Sequence, residues 1–380
     1  MKICVHVIDF NDHIDISQAE KDIKDNMNHI ATEQEKQRLE AAYKGRKVFH
    51  GELHDHSNSG GTSDGHCTLD VWKKEMAELK MDFAAILDHR QVRHMYLPEW
   101  DDTLFICGTE PGTSITDSHA SKKSLHYNML FSNSAELEKV LAAFPEYNFE
   151  GGPEGHFKYP PFTRERFGEL MDAVRDNGGF FVIPHPRQIM ETEDVMDFWY
   201  RDHSGIEVFY MDLDDKASLD NYPVWEELLQ RGKKVWVCAG GDKHEHPKTG
   251  ALTTIYAEEQ RGSAYIPHLR CGDFTSGNAG IRMVLGDTLM GGETPFVKDE
   301  KLLLAIGDFH ESVCFAGHEY SMVLLDDKGV VFKSAVSPDA MQYFAFPVSE
   351  TARWLRAEIF DETRKLRIAM GNPIWNSRLP

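Results

Sequence analysis

Short, nearly continuous apolar runs recur along much of this chain, and several of them stop just before a histidine or a carboxylate. One residue separates the run at 83–87 from His89, and one separates the run at 179–183 from His185. Such runs are typical of parallel strands that are buried on both faces. Segments with helical periodicity, such as residues 69–79, alternate with them. The sequence therefore predicts an α/β fold with a mostly parallel sheet, either a barrel or a doubly wound sheet.

The residues that follow these runs are good metal ligands. In α/β barrels the C-terminal ends of the strands carry the active site, so residues at those ends are expected to meet. Mixed imidazole and carboxylate sites suit zinc, iron or manganese. Nine ligands exceed the capacity of one tetrahedral ion and fit two or three divalent ions that share a bridging carboxylate. The candidate metal ligands, in chain order, are His54, His56, Asp64, His89, Glu110, His126, His185, Asp242 and His244.

The first two of these ligands form a His-x-His pair at the end of an expected strand, residues 48–53. Successive side chains on a strand point to opposite faces, so His54 and His56 share a face. A glycine-containing loop then allows the backbone to turn and bring Asp64 back towards them. A His-x-His pair is common in strands without metal, so it indicates a metal site only together with the later ligands.

Charge and composition exclude some classes of function. Lys and Arg total 41 against 62 Asp and Glu, a net charge of −21. This balance disfavours nucleic acid as a partner, because phosphate backbones need a basic surface. A small anionic substrate stays compatible, since bound cations make a site locally positive. The six cysteines are scattered without a C-x-x-C motif and are expected to be free thiols.

Targeting signals and the hydrophobic pattern of the sequence lead to expectations about cellular location and domain limits. No signal peptide or transmembrane segment is recognised, so we expect a cytoplasmic protein without membrane contact, and a homo-oligomer is compatible with the sequence. We expect an N-terminal strand and helix extension at 1–47 and a catalytic domain at 48–275. Short alternating runs with turn residues then predict a small antiparallel β domain at 276–380.

The ordered ligand blocks resemble the polymerase and histidinol phosphatase (PHP) superfamily of metallohydrolases. The resemblance implies a distorted (β/α)7 barrel for residues 48–275. Two C-terminal blocks, residues 354–361 and 371–375, are similar to the ending of the carbaryl-hydrolase-like branch, whose members carry a β domain after the barrel. The blocks that carry the main resemblance are residues 52–57, 63–65, 87–89, 108–110, 126, 183–186 and 241–244.

The resemblance also implies how the ligands divide among the ions. It implies that Glu110 bridges the first and second ions. One departure from the family pattern is Leu87, where many members have threonine, but this position is not a ligand. The implied sets are His54, His56, Glu110 and Asp242 for the first ion, Glu110, His126 and His185 for the second, and Asp64, His89 and His244 for the third.

These ligands predict a metal-dependent hydrolase with a metal-activated hydroxide as the nucleophile. The resemblance points first to a phosphoesterase acting on a small phosphorylated metabolite or nucleotide. Basic residues beside the ligands, Arg90, Arg93, Arg187 and Lys243, fit an anionic substrate, and Arg187 is the preferred phosphate contact. The predicted catalytic residues are Glu110, His185 and Arg187.

Two other functions stay open at this point. One is a metallohydrolase of a carbamate, ester or amide bond, which would use the same ligands. The other is a metal-binding or carbohydrate-binding protein with an inert barrel, which the complete ligand set disfavours because an inert descendant is expected to lose ligands.

Overall fold

The computed structural model describes residues 29–119, 123–146, 159–189 and 201–379. Most of the predicted N-terminal extension, residues 1–28, lies outside the described residues. The helices in the described part are α1 Glu33–Ala42, α2 Leu69–Glu78, α3 Ser134–Ala143, α4 Arg164–Asp176, α5 Pro186–Ile189, α6 Lys216–Gln230 and α7 Gly262–Cys271. Each of these helices is too short or too polar to traverse a lipid bilayer.

Strands alternate with these helices as far as α7, and strands predominate after it. The first half of the chain contains β1 Lys47–Asp55, β2 Phe83–Ile86, β3 Phe105–Thr109, β4 Gly112–Ile115, β5 Ser124–His126, β6 Asn128–Phe131, β7 Pro161–Phe162 and β8 Phe180–Ile183. The middle contains β9 Ser204–Tyr210, β10 Val235–Gly240, β11 Thr253–Ala257, β12 Phe274–Gly277, β13 Gly280–Leu285, β14 Thr288–Leu289 and β15 Glu293–Thr294. The last part contains β16 Lys301–Gly307, β17 Tyr320–Asp326, β18 Gly329–Val336, β19 Gln342–Pro347, β20 Trp354–Asp361, β21 Leu366–Gly371 and β22 Ile374–Asn376.

A mixed sheet of 15 strands organises the molecule, and its main path runs β10-β9-β8-β6-β3-β2-β1-β11-β12-β21-β20-β17-β18. The strands from β1 to β3 pair in parallel, and so do those from β8 to β10. Strand β6 is antiparallel to both of its neighbours. The predicted α/β class is confirmed.

The C-terminal ends of β1 and β10 also meet, although these strands are far apart in the sheet order. Asp242 N–H donates to His54 O over 2.6 Å, and His56 N–H donates to Lys243 O over 3.0 Å. These two bonds bring the first and last strands of the run β1 to β10 together at the edge where the apolar runs stop. The number of strands in a closed barrel stays a prediction.

Residues 124–131 contain two short strands. Tyr127 separates β5 from β6, and its N–H donates to Pro111 O. Strand β5 pairs with β4 in a separate three-stranded sheet, whereas β6 pairs with β3 and β8 in the large one. The chain changes sheets at Tyr127, so two strands that are separated by one residue belong to different sheets.

The predicted C-terminal strands are present, and they divide between two sheets. Strands β13, β14, β16 and β19 form a four-stranded sheet, while β17, β18, β20 and β21 extend the large one. Strand β12 pairs with β21, with Thr275 opposite Gly371. The large sheet is therefore continuous across residue 275, and the domain limits 48–275 and 276–380 stay predictions.

Candidate metal centre

Several segments that follow the strands of the large sheet have unusual backbone conformations. Four non-glycine residues there have positive φ: Arg90 at 53°, His185 at 31°, Met211 at 63° and Asp242 at 46°. Positive φ is uncommon for residues with a Cβ and is concentrated at functional sites. These four residues follow β2, β8, β9 and β10, so the unusual conformations mark one edge of the sheet.

The buried carboxylate of Glu110 lies at the centre of this edge. Its Oε2 atom is 3.1 Å from His54 Nε2, 3.2 Å from His56 Nε2 and 3.2 Å from His89 Nδ1. Strand β3 ends at Thr109, so Glu110 is the first residue beyond it. Three imidazoles from two other strand ends thus converge on one oxygen.

The other oxygen of Glu110 faces two further histidines. Its Oε1 atom is 3.0 Å from His126 Nδ1 and 3.4 Å from His185 Nε2. His126 ends β5, just before the antiparallel strand β6 begins. Because β6 runs against its neighbours, its N-terminal end lies beside their C-terminal ends. His126 therefore reaches the site from a position just before the N-terminal end of β6. The pattern of ligands at the C-terminal ends of parallel strands did not predict this.

Two aspartates complete the arrangement. Asp242 Oδ1 lies 3.0 Å from His56 Nε2. Asp64 Oδ1 lies 3.2 Å from His244 Nε2, and its Oδ2 lies 3.6 Å from His89 Nε2. The Asp64 side chain is 55% exposed, whereas that of Glu110 is 1% exposed. The Asp64 side of the centre is therefore its open side.

Eight of the nine predicted ligands form three overlapping groups whose ligand atoms lie within 4.8 Å of one another. The ninth, His185, joins them through Glu110. The second group coincides with the set that the family resemblance implies for the first ion. The groups are His56, Asp64, His89 and His244, then His54, His56, Glu110 and Asp242, then His89, Glu110 and His126. The structure brings all nine residues together, and their roles as ligands stay predictions.

Opposite charges support each other in this cluster. Burial lowers the pKa of His54, but the carboxylates of Glu110 and Asp242 outweigh it and raise the pKa well above its usual value. Burial opposes protonation of His56 too, yet the carboxylates of Asp242 and Glu110 raise its pKa to about 9. Burial raises the pKa values of Glu110 and Asp242, and the imidazoles reverse this and hold both below their usual range. The cluster therefore attracts positive charge, as protons or as metal ions.

The donor atoms also fit a divalent cation. His54 Nε2 and Glu110 Oε2 are buried and make no hydrogen bond with any described residue, although they lie 3.1 Å apart. Buried polar atoms without partners are uncommon and call for an explanation such as an ion. Imidazole nitrogen and carboxylate oxygen together suit zinc, iron or manganese.

Asp88 shapes the loop that carries Asp64. It accepts hydrogen bonds from Ser57 N–H (2.6 Å) and Ser57 Oγ (2.8 Å), and its Oδ2 atom lies 3.1 Å from His94 Nδ1. Burial raises the pKa of Asp88, but His94 and the donors of the loop outweigh it and hold the pKa well below its usual range. Asp88 is thus a structural neighbour of the ligands.

Two tyrosines that the sequence did not assign contact the ligands. Tyr210, at the end of β9, donates a hydrogen bond from its hydroxyl to Asp242 Oδ2 over 2.7 Å. The Tyr159 hydroxyl lies 2.7 Å from His126 Nε2. A Cβ on Gly112 would lie 2.1 Å from the Tyr159 ring, so the ring position depends on that glycine. Tyr210 sits in an apolar run and Tyr159 follows a stretch of sequence without hydrophobic periodicity, so neither position carries a local signal.

The basic residues proposed for substrate binding differ in their surroundings. Arg90 is close enough to Tyr159 for its charge to oppose the rise in the tyrosine pKa that burial causes. Lys243 is buried, and its Nζ donates to Met211 O over 2.7 Å. Arg187 N–H donates to Asn221 Oδ1 over 3.1 Å, which fixes the start of α5. Arg90 is thus the basic residue that the structure places beside the His126 side of the centre.

No protein-family model and no curated protein matches this sequence. Several solved structures show a distant likeness. A two-domain protein from Bacteroides vulgatus ATCC 8482 that contains a predicted PHP-like metal-dependent phosphoesterase has a TM-score of 0.39 and 13% identity, covering 87% of this chain and 96% of that one.

Two further solved structures show a likeness of the same order. An amidohydrolase from Chromobacterium violaceum has a TM-score of 0.38 and 17% identity, covering 51% of this chain and 87% of that one. The lesion-specific endonuclease PfuEndoQ from Pyrococcus furiosus has a TM-score of 0.41 and 10% identity, covering 62% of each chain. Similarities at this level are too distant to assign the fold or the activity of this chain.

Proposed function

We propose that this protein is a metal-dependent phosphoesterase of the PHP type that hydrolyses a small phosphorylated metabolite or nucleotide. The observation that carries the proposal is the convergence of nine histidine, aspartate and glutamate side chains, with the buried Glu110 at their centre. In this proposal the strands β1, β2, β3, β6, β8, β9 and β10 form the seven-stranded barrel that presents them.

The proposed centre holds two or three divalent ions of zinc, manganese or iron. Glu110 is the proposed bridge, because its two oxygens face different sets of imidazoles. His54, His56 and Asp242 lie on one side of it, and His126 and His185 lie on the other. When bound, such ions activate water as a nucleophile and polarise the phosphoryl group.

The chain itself supplies binding and orientation of the substrate. Arg90 and Tyr159 lie at the His126 side, and we propose that they bind the anionic end of the substrate. A guanidinium can donate two parallel hydrogen bonds to a phosphate. Arg187 remains a second proposed phosphate contact. Substrate would enter from the exposed Asp64 side.

Hydrolysis of a carbamate, ester or amide bond is the alternative that the same ligands permit. Lys243 favours it in one respect, since its ammonium group is held by Met211 O and so contributes less to anion binding than the sequence suggested. The two proposals differ in the substrate that is cleaved, and a substrate panel distinguishes them.

The test begins with metal analysis of the purified protein and a panel of phosphomonoesters, phosphodiesters, aryl esters and carbamates. We expect bound divalent ions and hydrolysis of a phosphomonoester or phosphodiester. His54→Ala should lose at least one ion and most of the activity, because His54 is fully buried between Glu110 and Asp242. His66→Ala is the matched control, since its side chain is 72% exposed and it is not among the nine predicted ligands.

Arg90→Met tests the anionic substrate. We expect a higher KM for the phosphate ester with unchanged metal content, because the guanidinium is proposed to bind the substrate and not an ion. Cleavage of carboxyl esters or carbamates alone would favour the alternative. A fully metal-loaded protein that is inactive on the whole panel would contradict both hydrolase proposals.

A further inference from the structure

We infer that Glu207 is a positioning residue of the metal centre: one buried carboxylate orients the side chain of His54 and the backbone of His185. The inference rests on the proposed metal site, but not on which substrate is cleaved. Glu207 is not among the nine predicted ligands, and it comes from the interior of β9, whose seven residues are all buried.

The position of Glu207 is unusual for a charged residue. It is 1% exposed in a central strand of the large sheet. A buried carboxylate is costly unless hydrogen bonds or charges compensate it. A Cβ on Gly240 of the neighbouring strand β10 would lie 2.1 Å from Glu207 Oε1, so the absence of a side chain there makes room for the carboxylate.

The first hydrogen bond of Glu207 sets the tautomer of His54. His54 Nδ1 lies 3.0 Å from Glu207 Oε1, and because a carboxylate only accepts, the hydrogen of this bond is on Nδ1. The other nitrogen, Nε2, lies 3.1 Å from Glu110 Oε2 and 3.5 Å from Asp242 Oδ1. The lone pair of Nε2 is thus free to bind a cation, and it faces the carboxylates of Glu110 and Asp242. A carboxylate behind a metal-binding histidine acts in this way in many metal sites.

The second hydrogen bond of Glu207 holds the backbone of His185. His185 N–H donates to Glu207 Oε2 over 2.8 Å. His185 has a φ of 31°, which is disfavoured for a residue with a Cβ, so the surrounding contacts must hold it there. Its Nε2 atom then lies 3.4 Å from Glu110 Oε1.

The two bonds have a common consequence. His54 contacts one oxygen of Glu110 and His185 contacts the other, so Glu207 aligns imidazoles on both sides of the proposed bridge. Loss of the Glu207 carboxylate should therefore lower the affinity for both of the ions that Glu110 is proposed to bridge. A residue with only a structural role would change stability and leave metal affinity unaltered.

The decisive variant is Glu207→Gln, which keeps the size and removes one acceptor. Its carboxamide can accept from His54 or from His185 but not from both, since the second position becomes an NH2 donor. We expect metal affinity, measured by competition with a chelator, to fall roughly 10–100-fold. We also expect kcat to fall more than KM rises. Glu207→Asp keeps two acceptor oxygens and should recover part of the affinity.

The control is Glu358→Gln, which changes a carboxylate that is equally buried and bonded to arginines away from the centre. This variant should lower the unfolding temperature and leave metal affinity unchanged.

The outcomes separate this inference from the proposed function. A wild-type protein that binds ions, together with a Glu207→Gln variant of equal affinity, would overturn the inference and leave the proposed function intact. A wild-type protein that binds no divalent ion would overturn both. Metal binding with the expected loss in Glu207→Gln, but no phosphoesterase activity, would support the inference and contradict the phosphoesterase.

Discussion

The carboxylates and histidines of the candidate metal centre change each other's pKa values through their charges. Glu110 is an almost fully buried carboxylate and Asp242 is a largely buried one, and His54 and His56 beside them take up protons in compensation. A bound cation replaces those protons, so protons and metal ions compete for the same nitrogens. This competition makes the behaviour of the site depend on pH.

The expected pH dependence differs between ion-free and ion-loaded protein. The folded-state pKa of His56 is raised from 6.5 to about 9, so its contribution to the stability of ion-free protein is full below pH 6.5 and is lost as pH rises towards 9. Cation binding needs the unprotonated nitrogen and strengthens over the same range. The increase in Tm on adding Mn²⁺ should thus grow from pH 6.5 to 9.

Thermal unfolding with Mn²⁺ and with a chelator, at several pH values, measures this increment. The chelated protein provides the baseline at each pH and should itself lose stability as pH rises. An increment that stays constant or shrinks over this range would show that the histidines do not exchange protons for the ion.

Among the elements, helix α6 connects the centre with the C-terminal strands. Ser218 Oγ accepts from Tyr210 N–H over 2.8 Å, and Asn221 holds the start of α5. In the same helix, Tyr222 and Glu226 contact Arg356 of β20. Helix α6 therefore contacts both the segment that carries Tyr210 and strand β20.

Replacing Arg356 tests this connection. Its guanidinium is fully buried, contacts Glu226 and Glu358, and packs 4.4 Å from the Trp225 ring. Removing the guanidinium leaves the buried Glu358 with Arg367 as its remaining cation, and breaking a buried ion pair typically costs about 3–5 kcal/mol. Arg356→Met should lower the free energy of unfolding by about this amount in urea titrations.

Arg364→Met is the matched control for that measurement. Arg364 is partly exposed and pairs with Asp214 over 3.1 Å. Exposed pairs of this kind contribute about 0–1 kcal/mol, so the control should change little. An equal loss of unfolding free energy in the two variants would mean that the buried cluster around Arg356 stabilises the fold no more than an exposed ion pair does.

At the level of the whole molecule, the predicted domain limits and the sheet divide the chain differently. The hydrophobic pattern of the sequence changes near residue 275, from alternating strands and helices to short runs separated by turn residues. The large sheet nevertheless continues from β12 to β21. Asn372 adds to this continuity, since its Oδ1 accepts from Val237 N–H over 2.8 Å and its Nδ2 donates to Phe274 O over 3.2 Å. One buried cluster also contains side chains from Phe49 to Trp375.

We expect these connections to make unfolding cooperative across residue 275. Calorimetry of the metal-saturated protein should show one transition, with similar calorimetric and van't Hoff enthalpies. A fragment of residues 48–275 should not fold alone, because β12 would lose β21 and Glu226 would lose Arg356. Two resolved transitions, or a folded fragment, would instead support independent domains.

The sequence by itself determined the secondary elements and much of the chemistry of the site. Apolar runs indicated strands such as β2 and β8, because a strand buried on both faces has no polar face to interrupt it. The ligand candidates were recognisable as an ordered set, because imidazoles and carboxylates recur just after several such runs. These signals are local, so one sequence was sufficient to read them.

Only the tertiary structure decided the strand order and the contacts that depend on it. The antiparallel direction of β6 brings His126 to the site from the start of a strand, and the sheet crosses the expected boundary at 275. Glu207 and His54 are 153 residues apart, and nothing near either residue indicates that they meet. Such pairs form because strands far apart in the chain become neighbours in the sheet, and local sequence patterns do not record that arrangement.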